Sequence, residues 1–525
     1  MRLVHQYLLE AAQRYPEKDA LICDESKLSY REFVNRINTL STSLTREGLH
    51  KGDRALILLN NRVDFLIACY AVIAGGAIAV PIPEGAALTT IQQVANDCSP
   101  LFMITSSRDL VDYPLLRDKL SCRFLLVGNA NHAFVGSGSF GVALFDKQAN
   151  YGLYETTAMV NLREDDGAFI FYVSGRAAKM KGVLLSHRNL IQVTKNINDF
   201  MKVDANTREF AAISIAHSVG LERSHCMFFA GGTLVVSNAA PNPFTVVDNV
   251  QKHNCDALAL TPSIYSMFLG RLGTLLDRIG THIRYVELVR APMPIEHKRK
   301  MLDMFPNARI YMHYGLPEAS RSTFIELRSD RLKLDTAGRQ SPNVEVAIYG
   351  ENGEPLKRNV AGEIAIRGSH VSHGYWHNDE LTSLNFTNDR WFKTGDVGFF
   401  DDDGYLHVLG RKDDMISMDG VMISPLEIED RIRETYPYCE ICVVGVPDPA
   451  GFVGEIPVLC YISRDGSKIT PSELSGALSG RLDRNKIPRV VYRVEQFPRL
   501  EDTIWRKELR RQLLEGVSHA VPNVV

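Results

Sequence analysis

The run Tyr172 to Val183, YVSGRAAKMKGV, gathers Ser174, Gly175, Lys179, Lys181 and Gly182. Glycine lets a backbone come close to a ligand, and lysine brings a mobile cation. Together they suit a polyphosphate. Taken alone, the same residues suit a solvated basic turn. The signal gains weight from an ordered series of motifs downstream. His217 and Gly220 lie in AHSVG, and Tyr314-Gly315-Leu316-Pro317-Glu318 succeeds the apolar IYM. GEIAIRG (362–368), WFKTGD (391–396) and GRKDD (410–414) come next, then Gly420 and PLEIE (425–429).

These residues need elements to position them. Short apolar runs recur between stretches of helical period: ALILL (55–59), FMIT (102–105), FLLV (124–127), FIFYV (169–173), TLVVS (233–237) and ALALT (257–261). Such runs read as strands buried on both faces of an α/β fold. Phe65 to Pro83 carries no charge and is long enough to span a membrane. Gly75-Gly76, Pro81 and Pro83 argue instead for a helix, a turn and a buried strand. After Asp335 alternating strands and turns dominate, with Asp403-Gly404 at the tip of a hairpin. From Leu426 helices and strands alternate again: LEIEDRIRETYP, ICVVGV, VLCYIS and a helical SELSGALSGRLDR. The boundaries read as residues 1–409, a charged joint at 410–414, and a smaller domain at 415–525.

Composition narrows the classes. The 525 residues are 45% hydrophobic and 23% charged, enough for a large core without staples. With 59 basic against 62 acidic residues, no global field draws the chain to nucleic acid or anionic lipid. Nine irregularly spaced cysteines imply thiols and a reducing, cytoplasmic setting. The N-terminus has no signal-peptide core, and no membrane span is expected. Three look-alikes are set aside. Gly136 to Gly141 matches GxGxxG, but no helix opens after it, so a surface loop is read. Cys439 and Cys442 form a lone CxxC at a strand edge, without the second pair zinc needs. Asp401-Asp402-Asp403-Gly404 lacks the spacing of a calcium loop.

In its ordered motifs the chain resembles the adenylate-forming superfamily of acyl-CoA synthetases, acyl- and aryl-acid ligases, stand-alone adenylation proteins and luciferases. The similarity runs from LSYREF (28–33) to RKELRR (506–511). It implies a large N-terminal domain of stacked α/β sheets with a distorted β-barrel, and a small mobile α+β lid. It also implies two half-reactions. A carboxylate attacks the α-phosphate of ATP, and a thiol of coenzyme A or a carrier-protein phosphopantetheine then takes the acyl group. Ser174, Gly175, Lys181 and Gly182 match the phosphate loop. Tyr314 and Gly315 match the adenine side, and Asp396 matches the acceptor for both ribose hydroxyls, where an ionised group bonds strongly. Arg411 matches a second ribose and phosphate contact. Glu318 matches a Mg2+-binding carboxylate. His217 matches the acyl pocket, Asp413 the lid hinge, and Gly420 the thiol-side lid loop.

The departures are equally specific. The family loop is usually YTSGTTGxPKGV; here Arg176, Ala177, Ala178 and Met180 replace its hydroxyl pair, glycine and proline. Val289-Arg290 stands where a Gly-Gly element is usual, and Pro317 replaces a threonine. The family's C-terminal adenylation lysine falls at Thr503, or at Ile504 in the ungapped register. Losing one preorganised donor costs about a hundred- to a thousandfold in rate. No Asp accompanies His217 to hold an α-amino group, which favours a fatty, aryl or related carboxylic acid. Three readings stay open: an ATP-dependent acid–thiol ligase with altered adenylation, an adenylation-defective acyl transferase, and a non-catalytic scaffold partner.

Overall fold

The structure is a computed structural model. It describes residues 2–60, 62–127, 143–145, 161–174, 180–269, 273–276, 278–289, 293–418, 421–449, 454–463, 466, 468–479, 481–483, 486–500, 503–516 and 521–522. Two compact units emerge: Met1–Val346 with Ile366–Phe392, and Ala347–Ala365 with Lys393–Val525. The 409/410 boundary read from the sequence therefore falls inside the second unit.

The first unit is built on two sheets. One runs in the order Arg339–Gln340, Ala319–Glu326, Arg309–Leu316, Tyr285–Leu288, Ala257–Leu260, Arg208–Ala212, Thr233–Val236, Asp19–Cys23 and Ser26–Ser29. Its middle is parallel and its edges antiparallel. The other runs in the order Ala143–Phe145, Arg123–Val127, Phe102–Thr105, Arg54–Ile57, Ile78–Pro81, Gly167–Ser174 and Met180–Ser186. Parallel neighbours need crossover helices, which cover both faces and make the strands apolar throughout. Side-chain alternation then divides each strand between cores. Ala55 and Ile57 enter a core shared with Leu21, Cys23 and Leu234 of the other sheet, while Leu56 enters a separate one. Helices Tyr30–Arg46, Arg62–Ala74, His187–Met201 and Ser218–Ala230 contribute to that shared layer.

The apolar run resolves as the sequence suggests. Helix Arg62–Ala74 is buried from Arg62 to Ile73, Gly76 turns at φ +85°, and strand Ile78–Pro81 comes after it. Each such Leu, Ile or Phe contributes about 1.5–3 kcal/mol on burial. Among the described residues no helix is long and apolar enough to cross a membrane. Two strands escape a reading by apolar run: Arg208–Ala212 and Tyr285–Leu288 carry Glu209 and Glu287 in their interiors.

The second unit holds most of a four-stranded sheet, Val344–Tyr349, Gly362–Gly368, Phe392–Phe400 and Leu406–Arg411. Its last two strands form the expected hairpin, with Gly404 at φ +79°. A second sheet orders Cys439–Pro447, Glu455–Ser463, Val490–Arg493 and Val521–Pro522. Helix Pro425–Thr435 starts at the Ser424 cap. The helix expected over SELSGALSGRLDR is shorter, Pro471–Leu478, because Ser479 turns extended at ψ 130°. All nine cysteines are buried thiols; Cys442 lies opposite Cys460 in the strand pair, and no zinc-type cluster forms among the described residues. Gly136 to Gly141 lies outside the described residues.

Candidate active site

Strand Met180–Ser186 carries Lys181 and Gly182, and it runs straight into helix His187–Met201. Ser186 caps that helix, and the Asn189 amide donates to the Ser369 and Val371 carbonyls. The chain is thereby drawn over the strand. The Trp376 N–H donates to the Gly182 carbonyl at 2.7 Å, and Ser372 Oγ donates to the Leu184 carbonyl at 2.8 Å. A Cβ on Gly182 would lie 2.8 Å from Ile170 and 3.2 Å from Trp376, so the close packing requires glycine. Ser174 ends the partner strand opposite Met180. Gly175, Arg176 and the loop to Lys179 lie outside the described residues.

Glu318 sits between strands Arg309–Leu316 and Ala319–Glu326. Its side chain is 1% exposed. Lys181 Nζ donates to Glu318 Oε1 at 2.7 Å, Tyr375 Oη donates to the same oxygen at 2.7 Å, and Lys181 Nζ reaches Tyr375 Oη at 3.2 Å. The ammonium also lies 4.8 Å from the Tyr375 ring centroid. A buried carboxylate is thus neutralised by a half-buried lysine, and both are oriented by a phenol. Sequence reasoning named Lys181 and Glu318 but missed Tyr375. Its only signal was an aromatic pair after Gly374, with no spacing that ties it to either partner.

The hairpin that presents Glu318 is irregular. Tyr314 pairs with Thr323, yet Leu316 pairs with Ala319, so Ser320, Arg321 and Ser322 oppose Gly315 alone. A Cβ on Gly315 would meet the Arg321 nitrogen at 2.5 Å. Tyr314 is half-buried beside this bulge. Arg321 adopts φ +52° and is fully buried.

Beneath the hairpin lies a charge cluster that no motif announced. Arg321 pairs with Glu222 and, at 3.3 Å, with Glu287. Arg223 pairs with Glu209 and, at 3.2 Å, with Glu287. Ser320 Oγ donates to Glu222 at 2.8 Å, Tyr285 Oη donates to Glu209 at 2.6 Å, and His313 Nδ1 stands 3.4 Å from Glu287. Burial raises Glu287 to about 7, opposed by Arg223. Burial lowers Arg321 to about 9, which leaves it a cation at neutral pH. Burial also drops His313 to about 4. Glu222 and Arg223 come from helix Ser218–Ala230. His217 is the half-buried residue before its first turn, and its carbonyl accepts from the Leu221 N–H at 3.0 Å. Gly220 packs where a Cβ would lie 2.1 Å from the Ser214 carbonyl oxygen.

In the second unit Asp396 and Arg411 are cross-strand partners. Arg411 Nη1 donates to Asp396 Oδ1 at 3.0 Å and to the Thr394 carbonyl at 3.0 Å. Thr394 Oγ1 in turn donates to the Ile364 carbonyl at 2.8 Å. Gly395, at φ +70°, leaves room for the guanidinium: a Cβ there would lie 2.9 Å from Arg411 Nη2. Asp413 is exposed in the turn Lys412–Asp414, where Lys412 pairs with Glu363 at 3.0 Å. Gly420 lies outside the described residues. Arg506, at the start of helix Arg506–Leu514, is held by both Glu429 oxygens and the Val443 carbonyl. Glu429 holds its guanidinium protonated against burial. Thr503, exposed, pairs with Leu500 in the strand before that helix.

The AMP-binding enzyme family model matches residues 8–376. The chain is 27% identical to the indoleacetate–CoA ligase of Aromatoleum aromaticum, across 95% of this chain and 96% of that protein. It is 27% identical to a feruloyl-CoA synthase of Amycolatopsis, across 95% and 97%. The ATP-bound structure of MatB from Rhodopseudomonas palustris superposes with a TM-score of 0.84 at 25% identity, across 98% of this chain and all of that one. Fold, ordered motifs and match across most of the sequence agree: the chain belongs to the AMP-binding enzyme family.

Proposed function

We propose that the protein activates a small carboxylic acid with ATP and passes the acyl group to the thiol of coenzyme A. The observation that carries this reading is the Lys181–Glu318–Tyr375 constellation in an AMP-binding chain whose full-length relatives include CoA ligases. In the first step a carboxylate oxygen bonds to the α-phosphorus, and the bond to pyrophosphate breaks. In the second, the thiolate sulfur bonds to the acyl carbon, and AMP leaves with the C–O electron pair. Lys181, Ser174, Gly175 and Gly182 meet the phosphates. Tyr314 and Gly315 border the adenine. Asp396 accepts from the ribose hydroxyls, and Arg411 holds Asp396 and donates to ribose or phosphate. His217 borders the acid. Gly410 to Asp414, inside the second unit, serves as the joint with Asp413 as its pivot, and Gly420 serves the thiol step.

Magnesium fits this arrangement in one way. Lys181 and Tyr375 both occupy Glu318 Oε1, which leaves Oε2 as the carboxylate oxygen for a metal. No second acidic ligand stands with it in a metal-type cluster among the described residues. Mg2+ commonly keeps one carboxylate and takes its other ligands from phosphates and water. Glu318 would hold such an ion when it arrives on the triphosphate, and the ion would offset charge on the departing pyrophosphate.

Thr503 favours a second reading, in which adenylation is lost and the protein moves an acyl group from a preformed adenylate or thioester to a thiol on coenzyme A or a carrier protein. Carboxylate-dependent pyrophosphate exchange, screened over aryl and aliphatic acids, separates the two. Exchange supports ATP-dependent activation. Thioester made only from synthetic acyl-adenylate supports the second. Absence of both, with no heat on titrating ATP, sinks both and leaves a scaffold partner.

A further inference from the structure

Arg321 is an unusual residue to find at the heart of a bulge. It is fully buried, it sits in the left-handed region that favours glycine, and its side chain carries a charge. Every neighbour in the bulge is tied down. The Glu318 carbonyl accepts from the Ser372 N–H at 2.8 Å, Ser320 bonds Glu222, Ser322 Oγ lies 3.0 Å from His370 Nε2, and the Arg321 carbonyl accepts from Ser341 Oγ at 2.8 Å. The guanidinium then spans two further elements. Glu222 belongs to helix Ser218–Ala230 and Glu287 to the adjacent strand Tyr285–Leu288. Because side chains alternate every two residues, packing opposes a one-residue slip of this hairpin strongly and a two-residue slip less. Paired buried charges penalise every register that separates them.

We infer that Arg321 is a positioning residue: through Glu222 and Glu287 it locks the bulge opposite Gly315, and so sets the direction in which the turn presents Glu318 to Lys181 and Tyr375. The inference deepens the ATP reading and rests on it for its consequence in nucleotide binding, but not for its consequence in the hairpin. The guanidinium touches neither Glu318 nor Lys181; its effect travels through three residues of backbone. A carboxylate displaced by an ångström from its productive place is enough to cost about a hundredfold in rate.

The test uses the full chain and three variants: Arg321→Met, Arg321→Lys and Glu222→Gln. Two readouts are taken, ATP affinity by calorimetry and amide exchange of residues 314–323 by mass spectrometry. Arg321→Met is expected to weaken ATP about tenfold or more and to speed exchange in the hairpin selectively, with Arg321→Lys recovering part of both. If Arg321→Met does not fold, Glu222→Gln, which keeps shape and removes charge, is read by the same criteria. A folded variant whose hairpin exchange and ATP affinity both match the parent overturns the inference. If the parent itself binds no ATP, the proposed function fails separately. The inference is then decided by hairpin exchange alone: selective speeding supports it, and unchanged exchange overturns it.

Discussion

Asp396 and Arg411 meet because Gly395 has no side chain. Replacing Gly395 with Ala would force an L-residue to φ +70° and push against Arg411 Nη2. Gly395→Ala should therefore weaken AMP binding at least tenfold in calorimetry while lowering stability by about 1–2 kcal/mol. Thr503 allows the opposite experiment. It is exposed at a strand end, so a lysine there costs little in stability. If one missing donor limits adenylation, Thr503→Lys should raise pyrophosphate exchange by about a hundredfold. No change would count against placing the absent lysine at this position.

Elements divide into those whose sequence pattern follows from burial and those whose does not. Strands such as Phe102–Thr105 and Ala257–Leu260 are apolar on both faces because sheets with helices above and below exclude water from both. That pattern is local, and so it can be read from one sequence. The charge cluster is different. Arg223 and Glu209 are 14 residues apart, and Arg321 and Glu287 are 34 apart, and each pair lies on two different elements, so no helix or strand period connects them. Only the crossover topology brings them together, and their polarity hides two strands as well. Tyr375 was missed for the same reason: its partner Glu318 lies 57 residues away. Helix Arg506–Leu514 tests how an element is held. Glu429 gathers Arg506, Arg433 and the Val443 N–H. Glu429→Ala would leave the largely buried Arg506 guanidinium facing Asp414 at 3.9 Å in place of its bidentate partner, at a cost of about 2–4 kcal/mol. A urea titration followed by circular dichroism should show the lower midpoint, and Glu429→Gln should fall between.

The molecule as a whole carries a pH dependence set by its interior. Burial lowers His5, His313 and His370 to about 4, and His187 and His225 to about 3. In the unfolded chain each titrates near 6.5. Between those values the unfolded state binds more protons, so stability rises with pH there and is complete above about 6.5. Glu287 acts in the opposite sense. Its contribution is present below the unfolded value of 4.5 and is lost as pH rises through about 7. Burial also lowers His253 and His373 and raises Asp109, Asp256 and Asp414; seven histidines outweigh four carboxyls in acid, so the melting temperature should fall from pH 6.5 to pH 4. A flat profile would mean that these imidazoles are hydrated. The buried thiols carry a further consequence. Burial raises sulfhydryls such as Cys98 and Cys460 to about 12, so in the native chain they resist electrophiles. Nine latent nucleophiles are thus exposed only when the polypeptide opens, and a maleimide dye would count opening events one molecule at a time, with no engineered label.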